Sequence, residues 1–294
     1  MPTILMPLPG NGAITADLAR EMNAAVRIPD IRHFPDGETY VRLDLDLHGR
    51  SVALVCTLDR PDAKLLPLLF AARTVHELGA ASVGLVAPYL AYMRQDRRFH
   101  PGEAITAAQF ASLLSPHFDW LVTVDPHLHR IRALSSIYEI PNRAVHAASA
   151  IGTWIAAQVS RPVLIGPDSE SVQWVSDASR LTGAPVVTLR KTRLGDNDVS
   201  LEEADLSAWH DRTPVLVDDI ISTGHTMLET IRLLDRAGMP KPVCVGIHGI
   251  FADGAFEALS QSGSRIITTN TIPHASNAID VSPLLSAAVR EMAS

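Results

Sequence analysis

Two rhythms of apolar and polar residues run along this chain. Short, nearly unbroken apolar runs at 4–6, 51–56, 82–87, 119–124, 163–165, 186–189, 215–219, 243–249 and 265–269 predict strands. Longer stretches at 11–21, 62–78, 105–114, 149–158, 227–237 and 282–292 read as helices, with apolar spacing at 62–78 and an amphipathic pattern at 282–292. A further helix is predicted from just after 170 through 179, and a short one from 253. Gly79, Gly183 and Gly238 stand where three of these helices should stop. Segments 31–34 and 39–43 read as strands around a turn at 35–38. Strands alternating with helices in this way predict an α/β fold with mostly parallel sheets.

The order helix, glycine, strand at 65–87 returns at 227–249, which predicts a duplicated α/β unit. Periodicity breaks near Pro141 to His146, and 294 residues are enough for two ordinary domains. The expected division is 1–143 and 144–294. Between 194 and 210 there is no clear core pattern, so that stretch is expected to be mobile.

Charge narrows the choice of partners. With 25 basic and 32 acidic side chains the formal charge is −7, so no global basic field recruits nucleic acid. No apolar run reaches membrane-spanning length, and the first residues lack a basic, signal-like start. Cys56 and Cys244 are isolated in apolar runs, as buried free thiols of a reducing compartment would be. The expected location is cytoplasmic.

The richest chemistry lies in VDDIISTGHT at 217–226. A strand stopping at Asp218 and Asp219 sets two carboxylates at a sheet edge, where α/β folds bind ligands. The turn through Ser222, Thr223, Gly224, His225 and Thr226 then brings backbone N–H groups and a helix N-terminus to the same place. Acids for hydroxyls or a metal, beside a phosphate cradle, fit a phosphorylated ribose with Mg²⁺. The matching turn of the first half, VCTLDR at 55–60, lacks the acid pair, so the second half alone is expected to bind the sugar phosphate. A long loop at 88–103 carries Arg94, Arg97 and Arg98, and the strand at 119–124 delivers Asp125 and His127 to the sheet edge. The chain has neither a P-loop nor a dinucleotide-binding glycine motif, so any bound nucleotide depends on other groups.

Six motifs now fall into one order: FPDGE at 34–38, RQD at 94–96, DPH at 125–127, GPD at 166–168, KTR at 191–193 and VDDIISTGHT at 217–226. Over nearly its whole length the chain resembles the ribose-phosphate pyrophosphokinases, and its short length and its loop at 99–105 look like the archaeal-type subgroup. The resemblance implies two tandem type I phosphoribosyltransferase-like domains, each a mostly parallel sheet flanked by helices. It implies that Phe34, Asp36, Glu38, Arg94, Gln95 and Asp96 serve ATP, with Asp96 as an orienting acid. His127 and Asp168 would hold Mg²⁺, while Asp218, Asp219 and residues Ser222 to Thr226 would hold ribose 5-phosphate. Lys191 and Arg193 would stabilise the transferring group. A homo-oligomer built on dimers is implied as well. Two residues depart from the family pattern: Ser222 stands where an acid is frequent, and Pro126 where leucine is common. Two other functions remain in view. A nucleobase phosphoribosyltransferase would use the 217–226 motif without Phe34, Arg94, Gln95 and His127. A non-catalytic partner of a synthetase would keep the fold and lose the reactive groups.

Overall fold

The computed structural model describes residues 3–166, 172–188, 190–193, 199–202 and 206–294; of these, 172, 173, 188, 190–193 and 199–202 are described by their backbone only. The chain divides into two units, the first of 1–146 with 271–273 and 281–294, the second of 147–270 with 274–280.

The first unit begins with strand β1 (Ile4–Pro7), helix α1 (Gly12–Met22) and the short β2 (Ala25–Val26). A two-stranded antiparallel arm follows, β3 (Asp30–His33) against β4 (Thr39–Arg42). Then come β5 (Ser51–Val55), α2 (Asp62–Glu77), β6 (Ser82–Ala87), α3 (Thr106–Leu114), β7 (Trp120–Val124) and β8 (Asn142–Val145). The six main strands are parallel in the order β2-β1-β5-β6-β7-β8.

The second unit opens with α4 (Ala148–Gln158) and repeats the plan: β9 (Pro162–Gly166), α5 (Val172–Thr182), β10 (Val186–Thr188), then an antiparallel arm of β11 (Arg190–Arg193) and β12 (Val199–Glu202). It continues with β13 (Thr213–Ile221), α6 (His225–Arg236), β14 (Val243–Gly249), α7 (Ala255–Gln261), β15 (Arg265–Thr269) and β16 (Asn277–Ile279). Its sheet is again all parallel, ordered β10-β9-β13-β14-β15-β16. The predicted duplication is therefore present strand for strand.

One feature departs from a simple tandem split. Helix α8 (Ser282–Met292) follows the last strand of the second unit yet packs on α1, β7 and β8 of the first. Arg143 lies 3.6 Å from Glu291, and the Arg290 guanidinium donates to the Glu21 carbonyl. Helix α4, which opens the second unit directly after β8, packs on α5 of that same unit. The expected domain 144–294 thus differs from the second unit by more than its starting point. Periodicity cannot signal this, because it shows that a helix has an apolar face but not which partner covers it.

The central strands are buried on both faces and so read as apolar runs: Val52 to Val55, Val83 to Ala87 and Val243 to Val245 are buried. Within the first sheet Gly84 stands directly opposite Trp120, whose indole lies across the glycine and donates from Nε1 to Ser82 Oγ at 3.2 Å. A Cβ at Gly84 would fall 2.0 Å from Trp120 Cζ2. Gly84→Ala is therefore expected to displace the indole and cost about 3 kcal/mol, read as a lowered midpoint in urea unfolding. An unchanged midpoint would show that the ring relocates freely.

Candidate active site

In the second sheet β13 pairs with β9 from Thr213 opposite Pro162 to Leu216 opposite Ile165, and there the register ends. On its other side β13 stays paired with β14 as far as Ile221 opposite Gly249. The stretch with Asp218 and Asp219 thus stands beyond the rungs shared with β9. The strand order reverses between these two strands, the chain having run outward from β9 to β10 before returning to β13. Open α/β sheets take ligands in the crevice at such a point.

Asp219 is buried, 5% exposed, and Asp218 is half-buried; the Asp219 N–H donates to Asp218 Oδ1 at 3.0 Å. The strand runs two residues past the acids, where the sequence had suggested a stop. Ile221 explains the extension: it is buried, and its carbonyl accepts from the N–H groups of Ile250 and Phe251, both at 3.0 Å. The Ser222 carbonyl accepts from Ala252 N–H at 3.1 Å, so the turn is pinned to the loop after β14.

Gly224 then caps α6 with φ +71°, a conformation natural to glycine, and a Cβ there would sit 3.2 Å from Leu259 Cδ1. No side chain caps the helix. Its first-turn N–H groups have no carbonyl to bond within the helix, and the positive end of the helix dipole lies with them. Such a helix start suits an anion. The Thr223 hydroxyl and His225 Nδ1 are 3.4 Å apart beside it.

The other predicted residues of this unit are less fully described. Asp168 lies outside the described residues, just after β9. Lys191 and Arg193 occupy alternate positions of β11, opposite Leu201 and Val199 of β12. The expectation that 194–210 lacks structure is corrected for 199–202, which is a strand, and for Ser207–Trp209, which is a short 3₁₀ turn. The sequence signal there was faint, since only Val199 and Leu201 alternate with polar neighbours. The expected mobility of 194–198 and 203–205 concerns residues outside those described.

In the first unit the arm β3–β4 occupies the same place in the chain order as β11–β12. Phe34, Asp36 and Glu38 line its tip: Phe34 N–H donates to the Glu38 carbonyl at 2.8 Å, and Glu38 N–H to Asp36 Oδ1 at 3.2 Å. Phe34 is 42% exposed, and Tyr40 meets it edge-on with ring centroids 6.0 Å apart. Arg32, which the sequence reading passed over, lies 4.1 Å from the Tyr40 centroid and 5.5 Å from that of Phe34.

Arg94, Gln95 and Asp96 follow β6, and His127 follows the neighbouring β7, so both loops leave adjacent strands at one sheet edge. Asp125 turns the chain there with φ +32° and is 3% exposed. Bonds that hold this strained backbone include Asp125 N–H to the Val145 carbonyl at 2.9 Å and His146 Nδ1 to Asp125 Oδ1 at 2.8 Å. The His127 and His129 rings follow, with centroids 6.3 Å apart.

The reversal point of the first sheet, between β1 and β5, is filled by the protein itself. Buried Asn11 accepts from Thr57 N–H at 2.7 Å and donates to the Leu8 and Pro9 carbonyls at 3.2 and 3.1 Å. Lys64 donates to the Thr57 carbonyl at 3.0 Å and pairs with Asp59. Nearby, burial pushes the Cys56 thiol up to about 12 against the opposing pull of Lys64, and burial does the same to Cys244.

A duplicated parallel sheet, with an acid pair and an uncapped helix N-terminus at the reversal point of its second copy, defines a two-domain protein of the phosphoribosyltransferase fold. Comparison with known proteins specifies it further. Residues 3–117 match the N-terminal domain of ribose phosphate pyrophosphokinase, and 133–284 match the phosphoribosyl transferase domain. The chain is 33% identical over 279 residues to the ribose-phosphate pyrophosphokinase of Methanopyrus kandleri, covering 94% of each. It is 32% identical to that of Saccharolobus solfataricus over 269 residues, covering 89% of this chain and 91% of the other. The solved phosphoribosylpyrophosphate synthetase from Mycobacterium smegmatis superposes with a TM-score of 0.86 at 25% identity, covering 99% of this chain and 98% of that one. The chain belongs to the ribose-phosphate pyrophosphokinase family. The relatives from Methanopyrus kandleri and Saccharolobus solfataricus are archaeal, in line with the expected subgroup.

Gly224→Ala tests the cradle directly. A side chain at this φ costs about 1–2 kcal/mol, and the Leu259 contact turns the first-turn amides away from their common focus. The melting temperature is expected to fall, and affinity for ribose 5-phosphate, titrated without nucleotide, to drop at least about tenfold. Affinity equal to wild type would remove the helix N-terminus from the site.

Proposed function

We propose that the chain acts as a ribose-phosphate diphosphokinase through two sets of groups, one in each unit. It transfers the β,γ-diphosphoryl group of ATP to the anomeric hydroxyl of ribose 5-phosphate, giving phosphoribosyl pyrophosphate and AMP. One observation carries this reading. A chain that matches the family in both halves has the acid pair and phosphate cradle in its second unit, and the arginine and histidine loops in its first.

The second unit holds the acceptor. The first-turn amides of α6, with Thr223 and Thr226, take the 5-phosphate, and Asp218 and Asp219 take the ribose hydroxyls. Ser222 stands where many relatives have an acid, which lowers the negative charge beside the sugar. In the first unit Phe34 offers a face to adenine, Asp36 and Glu38 accept hydrogen bonds from it, and Arg94 and Gln95 hold the phosphate end.

Mg²⁺ suits these donors. Such a cation takes one or two protein oxygens and completes its shell from substrate phosphates and water, so a cage of protein ligands is unnecessary. Among the described residues no three histidine, cysteine, aspartate or glutamate side chains form such a cage. Asp218 and Asp219 supply hard oxygen donors, and His127, with Asp168, is the candidate set for the nucleotide phosphates. When bound, Mg²⁺ neutralises phosphate charge that would repel the incoming hydroxyl oxygen.

In the transfer itself a bond forms between the anomeric oxygen and the β-phosphorus, and the bond from that phosphorus to the α,β-bridging oxygen breaks. The hydroxyl proton leaves to solvent, and AMP departs with the bonding pair. Such a reaction asks for positioning and charge stabilisation more than covalent help. Lys191 and Arg193, on alternate positions of one strand, supply two cations to the transferring group.

We also place the enzyme in the cytoplasm as a homo-oligomer built on dimers. The free, buried Cys56 and Cys244 fit a reducing compartment, and the family resemblance supports the assembly. No helix among the described residues is long and apolar enough to cross a membrane.

Purified protein with Mg²⁺, ATP and ribose 5-phosphate is expected to yield phosphoribosyl pyrophosphate and AMP in equal amounts, measured by chromatography. Accumulation of ADP would indicate a simple kinase. Consumption of phosphoribosyl pyrophosphate only on addition of a free base would indicate a transferase.

Lys191→Ala and Arg193→Ala are each expected to lower kcat by about 10²- to 10⁵-fold while ATP and ribose 5-phosphate affinities largely survive. The double variant should lose less than the product of the two, because the cations act on one charge. Arg180→Ala, which breaks an exposed ion pair with Asp177, is the control and should change little. Near-normal turnover in both single variants would reduce the pair to a solvated arm.

A further inference from the structure

The loops after β6 and β7 leave neighbouring strands, and one carboxylate joins them. The Asp96 side chain is only 1% exposed. Its Oδ2 accepts the backbone N–H of Arg130 at 3.1 Å, and Arg130 Nη1 lies 3.2 Å from Oδ1 and 3.5 Å from Oδ2. Arg130 also lies over the Phe99 ring, 5.7 Å from its centroid, with Arg97 at 4.9 Å.

The rest of the loop is braced as well. The Gln95 carbonyl accepts from Ala107 N–H at 3.2 Å, and its Oε1 accepts from the Thr106 hydroxyl at 3.2 Å, both on α3. Glu103 Oε2 accepts from the N–H groups of Phe99 and His100 at 2.7 and 3.0 Å, which holds its carboxyl below the usual range.

We infer that Asp96 is a positioning residue, which with Arg130 locks the loop bearing His127 onto the loop bearing Arg94 and Gln95. This rests on the reading that Arg94 and Gln95 hold the nucleotide and His127 the metal at its phosphates. A carboxylate so deeply buried, with both oxygens turned to one arginine, is occupied by the protein itself. A contact that served stability alone would be made as well by apolar groups, because burying charge offsets most of what an ion pair gains. What the pair supplies is register. Bonds to both the backbone and the guanidinium of one residue fix where the chain passes and which way it runs, three residues beyond His127. The spacing between the nucleotide-holding donors and the imidazole is set accordingly. In-line transfer is sensitive to that spacing, and a displacement of about 1 Å costs about 10²-fold in rate.

The test is a double-variant cycle on the full-length protein. Asp96→Asn, Arg130→Ala and the double variant are compared for kcat, for KM of each substrate, and for hydrogen–deuterium exchange without ligands. Each single variant is expected to lose about 10²-fold in kcat, with KM for ribose 5-phosphate within about threefold of wild type. The double variant should be no slower than the worse single. Exchange over 125–132 should accelerate in all three, while that of β13 and α6 stays unchanged. Arg130 is part-exposed, so its replacement reports on the brace even if Asp96→Asn fails to fold. Normal kcat in Arg130→Ala, or losses that multiply in the double variant, would overturn the inference. So would a rise in ATP KM alone, which would make Asp96 a direct nucleotide contact. If wild type made no AMP from ATP and ribose 5-phosphate, the proposed reaction would fail instead, and the exchange data would still decide whether the brace exists.

Discussion

The chemistry of the second unit depends on β9 and β13 parting after Leu216 while β14 holds β13 to Ile221. A buried carboxylate inside a sheet closed on both sides would lose its water without gaining donors. Among the described residues the β9 rungs stop at Leu216, so the acids stand past the paired part of the sheet on that side. The β14 side is kept closed by glycine. Gly246 faces Asp218 across the ladder, and a Cβ on it would fall 2.6 Å from Ile221 Cδ1. Its absence lets Ile221 fold inward and pin the turn that starts α6. The acid pair, the turn and the helix N-terminus are consequences of one strand being longer than its neighbour on one side only.

The first unit has the same strand order, and its own side chains bond across the equivalent place. Asn11 and Thr57 bond across its reversal point, and Lys64 spends its charge on Asp59 and the Thr57 carbonyl. With that position filled, the polar groups suited to a nucleotide appear further along the sheet, after β6 and β7, and on the β3–β4 arm. Duplication supplied two copies of one frame. The choice of loop to elaborate then differed between them, since loops tolerate change that central strands do not.

Much of this was legible in the residues. Strands buried on both faces, such as 82–87 and 243–249, announce themselves as apolar runs, and Gly79 and Gly238 mark helix ends because their φ values of +82° and +72° favour glycine. The motif at 217–226 was legible because its chemistry is local: acids, turn and helix start are consecutive. Short edge strands were not. β2, β8 and β16 are two to four residues long and half-exposed in part, too little for a pattern. Side chains that meet from distant loops were equally hidden. Asp96 and Arg130 are both charged loop residues, and nothing in their sequence separation says that they pair. Asp125 was read as a strand end beside a histidine, whereas its backbone strain and its bond to His146 depend on β8, a strand the sequence did not show.

The helices that complete each unit add a last constraint. α1 buries Ile14 and Leu18, α8 buries Leu285 and Val289, and these two helices pack on each other although one opens the chain and the other closes it. α4 joins α5 in the second unit after leaving the last strand of the first. Neither unit is a continuous piece of chain: 281–294 complete the first, and 271–273 interrupt the second. A first half cut at residue 143 would expose the apolar face that α8 covers, and the remainder would carry α8 without its partner. Burial of a helix face is among the larger contributions to a domain of this size, so the first unit depends on a helix that the chain reaches only after the second. The first unit supplies the surface on which the last helix of the chain is buried, so the two ends of the chain are folded into one unit.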